Sequence, residues 1–384
     1  MIRAAVIAAC AVVTLGVSAF AAPKQLGLRV DNGVVIKDGR PFRGIGVNYF
    51  DLFARTLAEP NDVSYKAGLK TLADHHVPFA RFMACGYWPV NNDLYFKDKQ
   101  AYFRLMDGVV KAAEENGVGL IPSFFFCYST LPDLAGEPMS AWGDPKSKTI
   151  ALMRQYTRDV VTRYRNSPAI WGWEFGNEIM LQADLHSPEN RPPVWPTLGT
   201  AKSRTELDDL SSQAARAAQV AFAEEVRKLD PDRIILSGNA FPRAAAWHLR
   251  TERSWTQDSK DQFAQELLAD NADPMDVICV HMYPDSLPRF DRSLTYLELL
   301  RTAVDVAAKA GKPLFVEEFG TDEAKGHDAA RAEFENMISA IDRAHVPLAS
   351  VWVYDFDGQK DTYSITATNS RAYQLEALEK ANIR

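Results

Sequence analysis

Eight short apolar runs alternate with amphipathic stretches, joined by connections of two sharply different lengths, and together predict a (β/α)8 TIM barrel with a short N-terminal β-hairpin. The runs are rich in Val, Ile and Phe with little polar alternation, as parallel strands buried on both faces require. Eight such units in succession favour closure into a barrel over an open doubly wound sheet. The 384 residues, 47% hydrophobic and 24% charged, supply core enough for one such domain.

In chain order, Met1-Ile2-Arg3 is a short positive start, Ala4 to Val17 is apolar, and Ala19-Phe20-Ala21 offers the small residues of a cleavage site. Residues 1–21 therefore read as a signal peptide, leaving 22–384 as a single domain. The segment LRVDNGVVIKDGRPFRG reads as the hairpin, with Asp31-Asn32-Gly33 and Asp38-Gly39 as turns. The strands follow: GIGVNYF (44–50), PFARFMA (78–84), GLIPSFFF (119–126), AIWGWEFGNE (169–178), RIILSGNA (233–240), DVICVHMYP (276–284), PLFVEEFG (313–320) and LASVWVYDF (348–356). Between them, helical spacing sets Met153, Tyr156, Val160 and Tyr164 on one face, and Leu207, Leu210, Ala214 and Ala221 on another.

Connections from helix into strand are short, such as ENGVG, RNSPA, KAGKP and HVP. Those that follow strands are long, notably 127–146, 179–203 and 241–258. Long irregular loops persist in compact domains mainly where they build functional surfaces, and in such barrels that surface is the carboxyl end of the strands. The loop lengths thus place the active face, and the fourth strand ends on it in Asn177 and Glu178.

The seventh strand repeats the pattern with Glu317 and Glu318. Two strand-end carboxyls facing each other across a barrel mouth suit glycosidic bond cleavage: one protonates the leaving oxygen, the other attacks the anomeric carbon or activates water. Adjacent strand residues point to opposite faces, so only one of Glu317 and Glu318 is expected to aim inward, the other meeting the helical layer or the rim. Glu174, roughly 13 Å deeper than Glu178 at normal strand rise, is read as structural.

Other residues point the same way. Val277, Cys279, His281 and Tyr283 share one face of the sixth strand, carrying a histidine and a tyrosine into the mouth. Arg81 interrupts the second strand, where a cation can hold a carboxylate ionised. Trp352 lies in the eighth strand, and Trp88, Trp142, Trp195, Trp247 and Trp255 fall in segments that follow strands. Sugar rings present apolar faces, for which aromatic platforms with a few polar groups are suited.

These marks resemble clan A glycoside hydrolases, nearest to family 5, the family of cellulases and β-mannanases. The resemblance covers nearly all of residues 22–384: Asn177-Glu178 closes strand four, Glu318-Phe319-Gly320 strand seven, His281-x-Tyr283 lies on strand six, Arg81 on strand two and Trp352 on strand eight. It implies Glu178 as acid/base and Glu318 as nucleophile of a retaining double displacement. It also implies Asn177 on the sugar 2-hydroxyl, Tyr283 and Arg81 around the nucleophile, His281 near the acid/base and Trp352 beneath the sugar at the cleavage point. Many family 5 cellulases carry a histidine at the end of strand three, where this chain reads PSFFFCYS; the mannanase branch commonly lacks it. Trp173 to Glu178 and Gly46 to Phe50 resemble that branch, which brings Asn48 into the substrate-binding set beside Trp88 and Trp142.

The expected substrate is a β-1,4-linked polysaccharide or oligosaccharide, mannan-type favoured. A β-glucanase or an exo-acting β-glycosidase is the alternative within the clan, and a non-catalytic glycan-binding barrel the alternative from another class. A net charge of −7 argues against nucleic acid or anionic membrane as partners. Seven histidines with no H-x-H or H-E-x-x-H pattern argue against a metal site, and no cofactor is expected. Cys85, Cys127 and Cys279 have no framework spacing; they read as small buried residues, with a single bridge left open. The signal places the mature chain in the periplasm or outside the cell.

Overall fold

A computed structural model describes residues 26–383. The expected signal peptide, residues 1–21, lies outside the described residues. Three antiparallel strands come first: β1 (Leu28–Asp31), β2 (Val34–Lys37) and β3 (Arg40–Pro41). The two expected turns thus enclose a three-stranded meander rather than one hairpin. Asn32 and Gly33 both adopt positive φ (49° and 77°), the pair of conformations that a tight two-residue turn between twisted strands demands.

The barrel strands are β4 (Gly44–Asn48), β5 (Phe79–Met83), β6 (Gly119–Phe125), β7 (Gly172–Gly176), β8 (Ile234–Leu236) and β9 (Ile278–Met282). A two-residue ribbon, β10 (Pro288–Arg289) and β11 (Arg292–Ser293), precedes β12 (Leu314–Phe319) and β13 (Leu348–Val351). The eight run parallel in the order β8-β7-β6-β5-β4-β13-β12-β9, and every residue in them is buried. That explains the unbroken apolar runs. Side chains complete the seam between β8 and β9. Ile235 N–H donates to the Asp276 carboxylate (2.7 Å) and Asp276 N–H to the Ile235 carbonyl (3.0 Å). Asn271 Oδ1 accepts from Cys279 N–H (3.0 Å) and the Ser237 hydroxyl (2.7 Å).

A helix follows each barrel strand, among them Lys148–Tyr164 and Ser212–Leu229. The first buries Met153, Tyr156, Val160 and Tyr164 as expected. The second differs. Leu207 is 60% exposed on a short 3-10 turn, and the buried face runs through Ala214, Ala218, Phe222 and Val226. Ser211 explains the offset: its side chain accepts from Ala214 N–H and starts the helix only at residue 212.

The meander closes the amino end of the barrel. Leu28 and Val35 pack against Phe79, Ile121, Trp171, Val277, Phe315 and Leu348, and Leu28 N–H donates to the Trp171 carbonyl. Cys85, Cys127 and Cys279 are buried and free. Among the described residues no helix is long and apolar enough to cross a membrane.

At the carboxyl end the long loops are pinned rather than loose. Arg204 forks onto Asp133 at 2.7 and 2.8 Å with both side chains buried, tying the segment after β7 to the segment after β6. The open end they frame is a cleft of about 910 Å³.

Candidate active site

The cleft floor is built from the ends of β7, β9, β12 and β13. Strand β7 stops at Gly176, and the chain turns sharply at Glu178, whose backbone sits in the left-handed region (φ 51°, ψ 23°). A β-carbon disfavours that conformation, and such strain persists only where neighbours hold it. Gly238 supplies the hold: its carbonyl accepts from Glu178 N–H at 2.8 Å. Gly238 itself has φ +73°, and a β-carbon there would lie 1.7 Å from the Gly176 carbonyl oxygen. Only glycine lets the two strand ends approach this closely.

Arg81, wholly buried, organises what lies beneath. Its Nη1 donates to Glu318 Oε1 (2.7 Å) and Asn48 Oδ1 (2.9 Å), its Nη2 to Asn177 Oδ1 (2.8 Å), and its Nε to both oxygens of Glu174 (3.0 and 2.9 Å). Tyr283 donates its hydroxyl proton to Glu318 Oε2 at 2.9 Å. Glu318 thus has a donor on each oxygen. Burial still pushes its carboxyl above the usual range, opposed by His281 and Arg81 and reinforced by Glu178.

Glu178 is a third exposed, and its Oε1 faces His281 Nδ1 at 2.8 Å. Burial raises its pKa, Arg81 and Arg243 lower it, and Asp285 raises it. His281 is buried so completely that its pKa is pushed down to about 4, leaving a neutral imidazole. Of the two carboxyls, Glu318 has a guanidinium and a phenol to stabilise its charge, whereas Glu178 has a neutral ring. The proton they compete for belongs on Glu178.

Nearest donor atoms of Glu178, His281 and Glu318 lie within 4.8 Å of one another, the one such group among the described residues that a cation could bridge. Each already engages the others, Arg81 or Tyr283. At that separation, one ionised and one protonated carboxyl can attack a carbon and protonate its leaving oxygen from the same cleft.

The structure therefore brings together Glu178, Glu318, Asn177, Tyr283 and Trp352 on the cleft, with His281 directly behind Glu178. Expected ligand contacts are corrected at Arg81, Asn48, Trp142 and Trp88. Arg81 and Asn48 are 0% and 1% exposed, so they reach Glu318 and the backbone of β12 and β13 rather than a ligand. Trp142 is 1% exposed, packed on Phe125 and Phe175 with its indole N–H on the Tyr128 carbonyl; it is core under β6 and β7. Trp88 stands beyond the cleft wall, edge-on to both Tyr87 and Trp195.

Other cleft residues carry weak sequence signals. Phe126 extends the Phe124-Phe125 run past its strand end and stacks on Trp352 at 6.5 Å, while Phe50 packs across Trp352 at 5.7 Å. Tyr363, Phe356, Gln359 and Asp285 come from loops whose course the sequence does not reveal. Glu317 is the larger surprise. It does not meet the helical layer or rim but is buried inside the barrel beside Glu318, because β12 bulges: Val316 pairs with Val280 and Glu318 with His281, leaving Glu317 as an extra residue.

The cellulase model of glycosyl hydrolase family 5 matches residues 35–358. The chain belongs to glycosyl hydrolase family 5. The chain is 40% identical over 81 residues to a probable mannan endo-1,4-beta-mannosidase F of Aspergillus flavus, covering 19% of this chain and 17% of that protein. It is 24% identical over 225 residues to mannan endo-1,4-beta-mannosidase F of Aspergillus clavatus, covering 56% and 43%. The matches span less than half the length of these relatives. Among solved structures, the endo-1,4-beta-mannanase of Rhizomucor miehei superposes with a TM-score of 0.66 at 16% identity, over 93% of this chain and 99% of that one. This shared fold is the (β/α)8 barrel.

Proposed function

We propose that this family 5 protein is a retaining β-glycosidase that cleaves β-1,4-linked polysaccharide or oligosaccharide of the mannan type. The observation that carries the reading is the separation of Glu178 and Glu318. Nearest oxygens within 4.8 Å fit the roughly 5–5.5 Å carboxyl spacing of double displacement better than the roughly 6.5–9.5 Å of inverting sites.

Glu318, ionised between Arg81 and Tyr283, attacks the anomeric carbon while Glu178 gives its proton to the departing glycosidic oxygen. The glycosyl ester neutralises Glu318 and removes the charge that favoured protonated Glu178. Glu178 then takes a proton from water as that water attacks the same carbon and frees Glu318. Asn177, anchored by Arg81, is placed to bind the sugar 2-hydroxyl, and Trp352 with Phe50 and Phe126 forms an apolar floor for the ring. The partner is a β-linked glycan, and the expected signal puts the mature chain in the periplasm or outside the cell. The mannan preference is supported by the names of the relatives.

Mannan, glucomannan, carboxymethylcellulose and xylan should be digested in parallel and the products sized. Mixed oligosaccharides from mannan with little from carboxymethylcellulose are expected. Attack on carboxymethylcellulose alone would replace mannan with glucan. Binding without products from any polymer would overturn the enzymatic reading.

A further inference from the structure

Glu317 has no part in the mechanism above, yet its place is costly. It is 0% exposed, and among the described residues no N–H or hydroxyl donates to either carboxyl oxygen, the weak Cys279 thiol being the one protein donor turned toward them. Facing it are Glu174 on β7, Arg81 on β5, Cys279 and His281 on β9, and its neighbour Glu318. His281 Nε2 stands 3.7 Å from Glu317 Oε2 and is itself buried without a hydrogen-bond partner. Orphaned buried polar atoms are rare enough to require an account, and here they face each other.

We propose that Glu317 is a neutral acid and a positioning residue: it holds His281 in the Nε2–H tautomer, and so keeps Glu178 loaded with the proton it must deliver. The proposal rests on the role given to Glu178 above.

Among the described residues Arg81 is the one cation paired with this cluster, and it already serves two carboxylates, Glu174 and Glu318. A third ionised carboxyl at zero exposure would be uncompensated, so Glu317 keeps its proton. Burial and Glu174 both push it that way. As carboxylates, Glu317 and Glu174 only repel; with Glu317 protonated, its O–H donates to Glu174. Its carbonyl oxygen remains for His281 and the Cys279 thiol.

A neutral imidazole has one N–H, placed by what each nitrogen faces. At 3.7 Å the contact with Glu317 is longer than a formed hydrogen bond, so its effect is electrostatic. A lone pair on Nε2 would point at an oxygen, whereas an N–H is attracted to it. Acting the other way, Glu178 and Glu318 (2.8 and 3.5 Å from Nδ1) would favour Nδ1–H if both were ionised. With the proton on Nε2, Nδ1 accepts from the Glu178 carboxyl and stabilises its acid form. After Glu178 has delivered its proton, the same lone pair faces a carboxylate and makes it a stronger base toward water.

The test reads the tautomer directly, by long-range 1H–15N NMR of histidine-labelled resting enzyme, with His281 assigned from its loss in His281→Asn. Nε2–H is expected in the wild type. It is also expected in Glu317→Gln, whose amide NH2 replaces the O–H toward Glu174 and whose carbonyl stays toward His281. Glu317→Leu should switch His281 to Nδ1–H and move the basic limb of kcat/KM to lower pH, by more than the acid limb, since Nδ1 stands nearer Glu178 (2.8 Å) than Glu318 (3.5 Å). Nδ1–H in the wild type, or an unchanged tautomer or basic limb in Glu317→Leu, would overturn the proposal. So would a switched tautomer in Glu317→Gln, even if Glu317→Leu fails to fold. The spectrum needs no substrate, so a protein inactive on every glycan would refute the functional reading while the tautomer still decided this one.

Discussion

Arg81 donates to Glu318 Oε1 across 2.7 Å from a position that water does not reach. Removing one partner of a buried ion pair costs about 3–5 kcal/mol, because the other is left charged and alone. Arg81→Met should therefore unfold at markedly lower temperature and lose activity together. Arg81→Lys should not restore it, since one ammonium cannot span Glu174, Glu318, Asn48 and Asn177. Calorimetry alongside kcat/KM checks both, and a stable, active lysine variant would contradict the network.

The roles of the two carboxyls separate chemically. Glu318→Gly should be nearly inactive, and azide should rescue it on an activated β-glycoside, giving the α-glycosyl azide. Glu178→Gln should lose roughly 10²–10⁴-fold on polymer but far less on aryl glycosides whose leaving groups need no proton. NMR of the first product of the native enzyme should show the β anomer; an initial α anomer would refute retention.

The pH profile follows from the directions of the shifts. With the roles proposed above, the acid limb is protonation of Glu318 and the basic limb deprotonation of Glu178; burial raises both, so the whole bell should stand above that of two ordinary carboxyls. Asp285 raises the Glu178 pKa and Arg243 lowers it. Asp285→Asn should accordingly move the basic limb down in pH, and Arg243→Gln should move it up. Initial rates across pH test this pair, and shifts of the same sign would refute it.

Two tryptophans that look alike in the sequence should behave oppositely. Trp352→Ala removes the cleft floor, and about 1.5–3 kcal/mol of lost aromatic contact corresponds to roughly ten- to a hundredfold in kcat/KM. Trp142→Ala empties a core site instead and should cost about 3–5 kcal/mol of stability with KM little changed. Paired melting and kinetic measurements distinguish them.

Gly238→Ala should damage the site from a residue with no chemistry. The added methyl group meets the Gly176 carbonyl, and the backbone must leave φ +73°, for which about 1–3 kcal/mol is a reasonable cost. Because Gly238 holds Glu178 N–H, kcat should fall further than stability accounts for. Activity measured well below the melting temperature would reveal the difference.

The sequence made the barrel legible because burial on both faces leaves its mark on every residue of a parallel strand. Asn177, Glu178 and His281-x-Tyr283 stood out as polar groups ending such runs. Glu317 could not be placed, because a bulge adds one residue and overturns period-two alternation at the point where it matters. Trp142 was misleading since the segment holding it follows a strand yet folds back into the core. Arg81 stood out as a charge inside an apolar run, but only coordinates show that Asn48 faces Arg81 and the backbone of β12 and β13 rather than sugar.

The meander closes the barrel at the end opposite the cleft, and the helix Ala372–Asn382 finishes there too: Asn382 Oδ1 accepts from Ile45 N–H at the start of β4. Both described ends therefore leave from one pole of the molecule. A tether to a bead or a fused partner attached at either end would hold the enzyme upright, its mouth turned to the bulk, where a long polymer chain can be threaded without meeting the support.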